Sequence, residues 1–405
     1  MTLSIELEEA LARILAALPA PLRETVSLTE ANGRFVLEPV VSPIHLPPFD
    51  NSAMDGYAVR AQDVQAAKAN SPVRLRLVGR VVAGQVFPNE VGPGACVRLF
   101  TGSPIPKGAD SVVMQEDTRT EPDKPGEILV LDAVRPWENV RFRGEDARLG
   151  STLLSQGQGL TAGSLSLLAA AGVQQVVVGR QPRIGLISTG SELRESGQPL
   201  EPGQIYESNR IGLAALMRNA GGRPAIFPLV TDTLEATERA ITKAFQECDF
   251  VVTTGGASVG ELDFIRSAFS NLGGEIDFWK VAMKPGRPFL FGRLNNRLLF
   301  GLPGNPVSAL VTFLLLVRPA MLRAQGAKEL ELATTIGVLA EETSNPGPRR
   351  HFARVIMDGQ GKVSLSGSQA SHLLGSFAAA NGLLDMPPKS SLPAGHPVRV
   401  LRCDI

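Results

Sequence analysis

Cysteine is scarce in this 405-residue chain: Cys96, Cys248 and Cys403 are the only three, and no two of them form a CxxC pair. An odd, sparse set excludes a disulfide framework and fits a reducing compartment. Histidine is nearly as rare, with four residues and none at metal-ligand spacing from another His or Cys, which argues against a zinc or iron centre. A hard-cation site built from carboxylates stays open. Charge of one sign is not in excess: 40 Lys plus Arg balance 40 Asp plus Glu. That balance argues against a broad basic surface for nucleic acid, though not against a local basic pocket. No run of about 18 uncharged apolar residues suggests a membrane span, and the N-terminus has no secretory pattern. The expectation is a soluble, cytoplasmic protein that binds neither nucleic acid nor membrane.

The length calls for two to four domains. Leu3, Ile5, Leu7, Leu11, Ile14, Leu15 and Leu18 interleave with acids and Arg13, which predicts an amphipathic helix over roughly 4–18. After the Pro-rich run His45-Leu46-Pro47-Pro48, short apolar alternations such as Val73–Val78 and Ala95–Leu99 are broken by Gly and Pro, predicting a small, mostly β domain. Residues Leu160–Val173 read as a helix stopped by Gly172. If that segment returns to the N-terminal part, the β domain is an insertion. Between about 181 and 325, apolar strands alternate with helices: strands at Ile184–Ser188, Ala225–Val230, Asp249–Thr253 and Leu298–Gly301, helices at Asn209–Asn219, Leu234–Phe245, Phe264–Leu272 and Val307–Met321. Such βα alternation means a largely parallel sheet covered on both faces. Short alternating runs after about 330, such as Val355–Met357 and Val398–Val400, suggest a small barrel or sandwich.

The expected fold class is therefore multi-domain α/β plus β. It comprises a doubly wound, largely parallel αβ domain (181–325), an inserted mostly-β domain (48–143), a linking domain (1–47 with 144–180) and a small C-terminal β-barrel (326–405).

In an open parallel sheet, ligands bind beyond the carboxyl ends of the strands. The segments expected there are Thr189-Gly190-Ser191-Glu192, Thr231-Asp232-Thr233, Thr254 to Asp263 and Leu302 to Ser308. Two are rich in Gly and hydroxyl residues and lead into helices, where backbone N–H groups and the helix N-terminus favour phosphate. Neither is a Walker or dinucleotide motif, and a Gly-rich βα loop taken alone is as well explained by a tight turn. Glu192, Asp232 and Asp263 lie just past strand ends, and like charges gathered there suggest a shared Mg²⁺. Asp232 reads equally well as an N-cap for the following helix, and Glu192 and Asp263 as solvated loop acids. Lys280 and the run Lys284-Pro285-Gly286-Arg287-Pro288 bring positive charge towards the same edge on a loop stiffened by proline.

Five stretches occur in order: Pro48-Phe49-Asp50-Asn51-Ser52-Ala53-Met54-Asp55-Gly56-Tyr57-Ala58, Arg143-Gly144-Glu145-Asp146, Thr254 to Asp263, Lys284 to Pro288, and Gly301 to Ser308. Together they closely resemble the molybdopterin molybdenumtransferase family, which includes the terminal domain of gephyrin, over essentially the whole chain. The resemblance implies an elongated four-domain homodimer with a site shared between subunits. It implies the insertion of molybdenum from molybdate into adenylylated molybdopterin with Mg²⁺, releasing AMP and molybdenum cofactor.

By that resemblance Asp232 and Asp263, with Glu192 beside them, are the acids near magnesium, while Asp55 and Asp146 enter from the other subunit. Lys284, Arg287, Arg354 and Ser371 match positions that hold molybdate, and Lys280 adds charge. Gly255, Gly256, Ser258, Pro303, Gly304, Asn305, Pro306 and Ser308 line the pterin and phosphate path. Arg287 stands where many members have Lys, Ala257 where many have a larger apolar residue, and the stretch Ser368-Gln369-Ala370-Ser371-His372 matches the family's loop loosely. Asp55 is also explicable as a turn acid beside Gly56. The upstream adenylyltransferase is an implied partner. Two other readings are that adenylyltransferase itself, which resembles the αβ domain alone, and a non-catalytic scaffold; the extra domains weigh against the first and the retained acids against the second.

Overall fold

The computed structural model describes residues 4–82, 84–255 and 264–403. The central unit is a six-stranded sheet. Its elements in chain order are β1 (Arg183–Ser188), α1 (Asn209–Asn219), β2 (Arg223–Ile226), α2 (Leu234–Glu247), β3 (Phe250–Thr254), α3 (Phe264–Asn271), β4 (Glu275–Lys280), β5 (Pro288–Leu294), β6 (Arg297–Leu302) and α4 (Pro306–Thr312). The spatial order is β2-β1-β3-β6-β5-β4. The first four strands run parallel. Strands β5 and β4 add an antiparallel margin that the periodicity did not reveal.

Alternate residues of the central strands enter two different cores, as a doubly covered sheet requires. Phe250, Val252, Leu298, Phe300 and Leu302 face α1, α4 and the N-terminal helix Leu7–Ala16. Val251 and Leu299 face α2 and α3 on the other side. Phe300 is fully buried, and its ring meets those of Phe250 and Phe291 at centroid distances of 6.1 and 5.4 Å.

The helix continuing α4 is long and apolar. It widens into a π-helical stretch at Phe313–Val317 just before Pro319, where the missing N–H and the bulk of the ring disfavour a regular α-helical bond. By length and composition Pro306–Ala324 is apolar enough to cross a membrane, although Arg318 and Arg323 interrupt it. Its most apolar window is 78% buried inside the protein, so it serves as a core helix.

Strand Arg23–Ser27 pairs antiparallel with Gln175–Gly179, so the chain after the insertion returns to the N-terminal part, and Val26, Val36, Leu168 and Val178 share a small core there. Helix Ala162–Ala170 starts at Thr161, whose side chain and that of Ser164 cap each other's backbone, and stops at Gly172, which has a φ of 82°. Between these segments lies a six-stranded β unit ordered Ser111–Met114, Gly56–Val59, Ala95–Leu99, Val73–Val81, Glu127–Val130 and Thr118–Thr120. At the C-terminal end, Arg350–Met357, Lys362–Leu365, Thr334–Leu339, Pro397–Arg402 and Gly382–Met386 close into a five-stranded barrel, because the first also pairs with the last. Met283–Lys284 reaches from the αβ unit to pair with Arg350–His351, joining barrel to sheet.

Replacing Phe300 by Ala is expected to destabilise the αβ unit by about 3–5 kcal/mol, the usual cost of a buried aromatic cavity. Chemical denaturation followed by near-ultraviolet dichroism checks this; an unchanged midpoint contradicts the core assignment.

Candidate active site

Strands β1, β3 and β6 end on one edge, and the loops that follow them enclose a cleft of about 710 Å³. Glu192, Asp232, Gly255, Pro303, Gly304, Asn305, Pro306 and Ser308, all singled out in the sequence, line it. Gly256, Ser258 and Asp263 lie outside the described residues, as does the rest of the run 256–263. The cleft is close-built at its floor. Gly255 has a φ of 83°, and a β-carbon there would sit 2.4 Å from the Thr189 carbonyl oxygen; one on Gly304 would lie 3.6 Å from Gly255 Cα. Two glycine turns thus meet without side chains between them, leaving backbone exposed to a ligand.

Two residues that sequence reasoning missed organise this floor. Asn209, the first residue of α1, donates from Nδ2 to Thr254 Oγ1 at 2.7 Å and to the Gly304 carbonyl at 2.8 Å. Glu207 is buried beneath the cleft, accepting from Arg210 N at 2.8 Å and Arg210 Nε at 3.0 Å. The Arg210 guanidinium also reaches the Phe227 carbonyl and Glu195. The signal available was Glu207-Ser208-Asn209 immediately ahead of a helix, where an acid or an amide satisfies first-turn N–H groups.

Asp232 does not cap α2; Thr233 does, accepting from Ala236 N. Asp232 instead joins two loops, its Oδ2 accepting from Ser191 N at 2.8 Å while Asp232 N donates to Ser191 Oγ at 3.2 Å. Asp232 Oδ1 has no hydrogen bond among the described residues. Glu192 stands on the same wall, its carboxylate folded towards Gly190. These two carboxylates are the hard oxygen donors a divalent cation takes. Among the described residues they gather no third His, Cys, Asp or Glu.

None of the predicted cations, Lys280, Lys284, Arg287 and Arg354, is among the residues lining the cleft. Lys284 is exposed and pairs in register with His351; Pro288, at the other end of the same run, lines the cleft. Arg287 is exposed and donates to Ser4 Oγ at 3.4 Å. Lys280 holds its ammonium 4.2 Å from the centre of the Trp279 ring and is not among the residues lining the cleft.

Arg354 is fully buried on the barrel strand. Its backbone N–H and its guanidinium both bond to the segment 366–376, and its Nη1 has no partner among the described residues. Ser371, on that segment, accepts from Asn305 Nδ2 at 3.0 Å, and its carbonyl accepts from Val307 N at 3.1 Å, inside the first turn of α4. One of that helix's free N–H groups is therefore already used. Burial, then the charges of Lys284 and Arg354, push the His351 imidazole down to about 4.

Asp55 and Asp146 sit on the inserted unit and the linking segment and do not line this cleft. Asp55 Oδ1 accepts from Thr101 N and Thr101 Oγ1, both at 2.8 Å, and these bonds hold its carboxyl below the usual aspartate range. Asp146 is exposed, on a loop whose N–H bonds to the Leu46 carbonyl.

Comparison with known proteins accounts for this arrangement of parts. Residues 5–172 match the MoeA N-terminal region (domain I and II), 185–323 a probable molybdopterin binding domain, and 337–402 the MoeA C-terminal region (domain IV). The molybdopterin molybdenumtransferase of Haemophilus influenzae is 38% identical over 403 residues, 98% of each chain. The chain belongs to the molybdopterin molybdenumtransferase family, transferases of molybdenum cofactor biosynthesis.

Members from Mycobacterium tuberculosis (40% identical, 90% of each chain) and Bacillus subtilis (36% identical, 98% of this chain and 94% of that one) agree. A crystal structure of the molybdopterin biosynthesis MoeA protein of Pyrococcus horikoshii OT3 superposes with a TM-score of 0.85 at 32% identity, over 99% of this chain and all of that one. The family resemblance seen in the five sequence stretches, the enzyme class and the multi-domain fold all hold.

Gly255→Ala is expected to destabilise the protein by about 1–3 kcal/mol, since it forces both a left-handed conformation and a backbone clash. Gly304→Ala, with an ordinary contact, changes stability by less; thermal denaturation of the pair decides, and equal losses contradict the reading of the floor. A second expectation concerns pH. His351 is held neutral in the folded state, so its contribution is complete above about pH 6.5 and is lost as pH falls towards 4, by at most about 3 kcal/mol. The melting temperature of His351→Asn is expected to fall less over that range than the wild type's; parallel curves contradict this.

Proposed function

We propose that the protein inserts molybdenum from molybdate into adenylylated molybdopterin and releases AMP and molybdenum cofactor. The observation that carries this reading is the adjacency of two differently equipped surfaces. The glycine-floored cleft with Glu192 and Asp232 suits a phosphate-bearing ligand. The Arg354 segment, bonded through Ser371 to Asn305 in that cleft, supplies a cation suited to an oxyanion.

In this reading the pterin and its phosphates occupy the path past Gly255, Gly256, Ser258, Pro303, Gly304, Asn305, Pro306 and Ser308. Backbone N–H groups at these turns orient the phosphoanhydride. Glu192, Asp232 and Asp263 are the residues that would hold Mg²⁺, which when bound supplies charge neutralisation at the phosphate oxygens. Molybdate docks against Lys284, Arg287, Arg354 and Ser371, with Lys280 contributing charge at longer range; charge-assisted hydrogen bonds from several directions suit a tetrahedral dianion. The pterin's two sulfurs then bond to molybdenum as molybdate oxygen leaves as water, taking up the thiol protons, and hydrolysis of the phosphoanhydride by water releases AMP and makes the transfer irreversible. His372 and the serines Ser188, Ser208 and Ser308 line the cleft, but no hydrogen bond joins a serine to that histidine among the described residues, and positioning carries the rate.

Asp55 and Asp146 belong to this scheme as groups of a second copy of the chain, reaching the cleft across a homodimer in the cytoplasm. The adenylylated substrate is handed over by the adenylyltransferase that makes it.

The test is purified protein with adenylylated molybdopterin, Mg²⁺ and molybdate, assayed for AMP. Molybdate-dependent release is expected, reduced about a hundred-fold in Asp232→Asn. Release that ignores molybdate, or an Asp232→Asn variant with full activity, overturns the reading.

A further inference from the structure

Arg354 poses a problem of charge. Its side chain is fully buried, yet no acid forms an ion pair with it among the described residues. Its partners are all neutral. Nε donates to Ser376 Oγ at 3.0 Å, and Nη2 donates to the Ser368 and Ala370 carbonyls at 2.8 and 3.2 Å. Nη1, with two N–H donors, has no partner among the described residues. A buried guanidinium with only carbonyl and hydroxyl acceptors keeps its full charge and two unused donors, a combination that disfavours the folded protein until an anion arrives. Burial alone already disfavours its charged form, and no neighbouring carboxylate offsets that cost among the described residues.

The same residue is gripped at its backbone. Gln369 Oε1 accepts from Arg354 N at 2.8 Å, while Gln369 Nε2 donates to the Arg354 carbonyl at 3.1 Å and to the Gly367 carbonyl at 3.1 Å. Ser376 is held in turn, donating through Oγ to the Leu373 carbonyl at 2.8 Å and accepting at its own carbonyl from Ser366 Oγ at 2.7 Å. A flexible side chain is thereby fixed at both ends, which removes most of the entropy lost when a mobile arginine captures an anion.

We infer that Gln369 and Ser376 are positioning residues that pre-set Arg354 so that Nη1 meets the molybdate oxyanion. On this inference Ser371, carried by the same segment and bonded to Asn305, fixes the distance from that oxyanion to the phosphate cleft. The inference rests on the proposed function and adds to it two residues that touch neither substrate. Gln369 donates and accepts across the Arg354 peptide, a task that an alanine cannot perform; Ser376 needs only its hydroxyl, so threonine should replace it.

Steady-state kinetics of molybdate-dependent AMP release, with isothermal titration of molybdate alone, separate the outcomes. Gln369→Ala and Ser376→Ala are expected to raise the KM for molybdate about ten-fold, the scale of one hydrogen bond to a charged group. The KM for adenylylated molybdopterin and kcat at saturating molybdate stay within about two-fold, and Ser376→Thr restores the wild-type value. A merely structural role predicts instead that both KM values rise together with a lowered melting temperature, and that result overturns the inference. Variants whose molybdate KM equals the wild type's overturn it alone. A wild type that neither binds molybdate nor responds to it overturns the oxyanion reading as well.

Discussion

Everything about the cleft depends on one geometric constraint: three parallel strands finish at the same edge, and the turns leaving two of them touch. Gly255 and Gly304 approach until a single β-carbon would bring them into contact, and Asn209 spans the same gap by donating to Thr254 and to the Gly304 carbonyl. The buried Glu207–Arg210 pair then fixes the helix that carries Asn209. Breaking such a pair on one side would leave a charge stranded in the interior, so the arrangement is held firmly even where the net gain from the pair is small. Rigid turns of this kind matter because a ligand bound mainly through backbone groups tolerates little displacement.

The second level of organisation is the joint between the αβ unit and the barrel. It has two seams. Met283–Lys284 adds to the barrel strand, and the barrel's segment 366–376 leans back to the first turn of α4 through Ser371. Lys284 comes from the αβ unit at the first seam and Arg354 from the barrel, while the acids and glycines come from the αβ unit. The cationic set is therefore divided between the two units.

How much of this was legible in the sequence varied with the physics involved. The parallel strands were clear because burial on both faces leaves continuous apolar runs, and Gly172 marked a helix end through its backbone freedom. Strands β4 and β5 were not seen: Glu275–Lys280 is half-exposed at the sheet's margin and alternates weakly. The glycine turns and acids expected past the strand ends, at Glu192, Asp232, Gly255 and Gly304, lie along the cleft, because loops at that edge follow from the strand order. The local role of Asp232 was open between a helix cap and a cleft acid, because the sequence does not say whether it or Thr233 takes the cap. Asn209 escaped attention because its partners, Thr254 and Gly304, are 45 and 95 residues away, and Glu207 because nothing local shows that its pair with Arg210 is buried. The importance of Gln369 and Ser376 is likewise a matter of three-dimensional contact with Arg354. The five family stretches identified the chain where composition alone stopped at a neutral, cysteine-poor α/β protein.

The account's central claim is that phosphate cleft and oxyanion seat form one site. Crystals soaked with tungstate, an electron-dense oxyanion of nearly the same size as molybdate, test it most directly through anomalous scattering. The account predicts a peak within hydrogen-bonding distance of Arg354 Nη1 and next to Ser371, opening onto the Gly255–Gly304 floor. A peak on another surface, with Arg354 Nη1 satisfied by water alone, would contradict it.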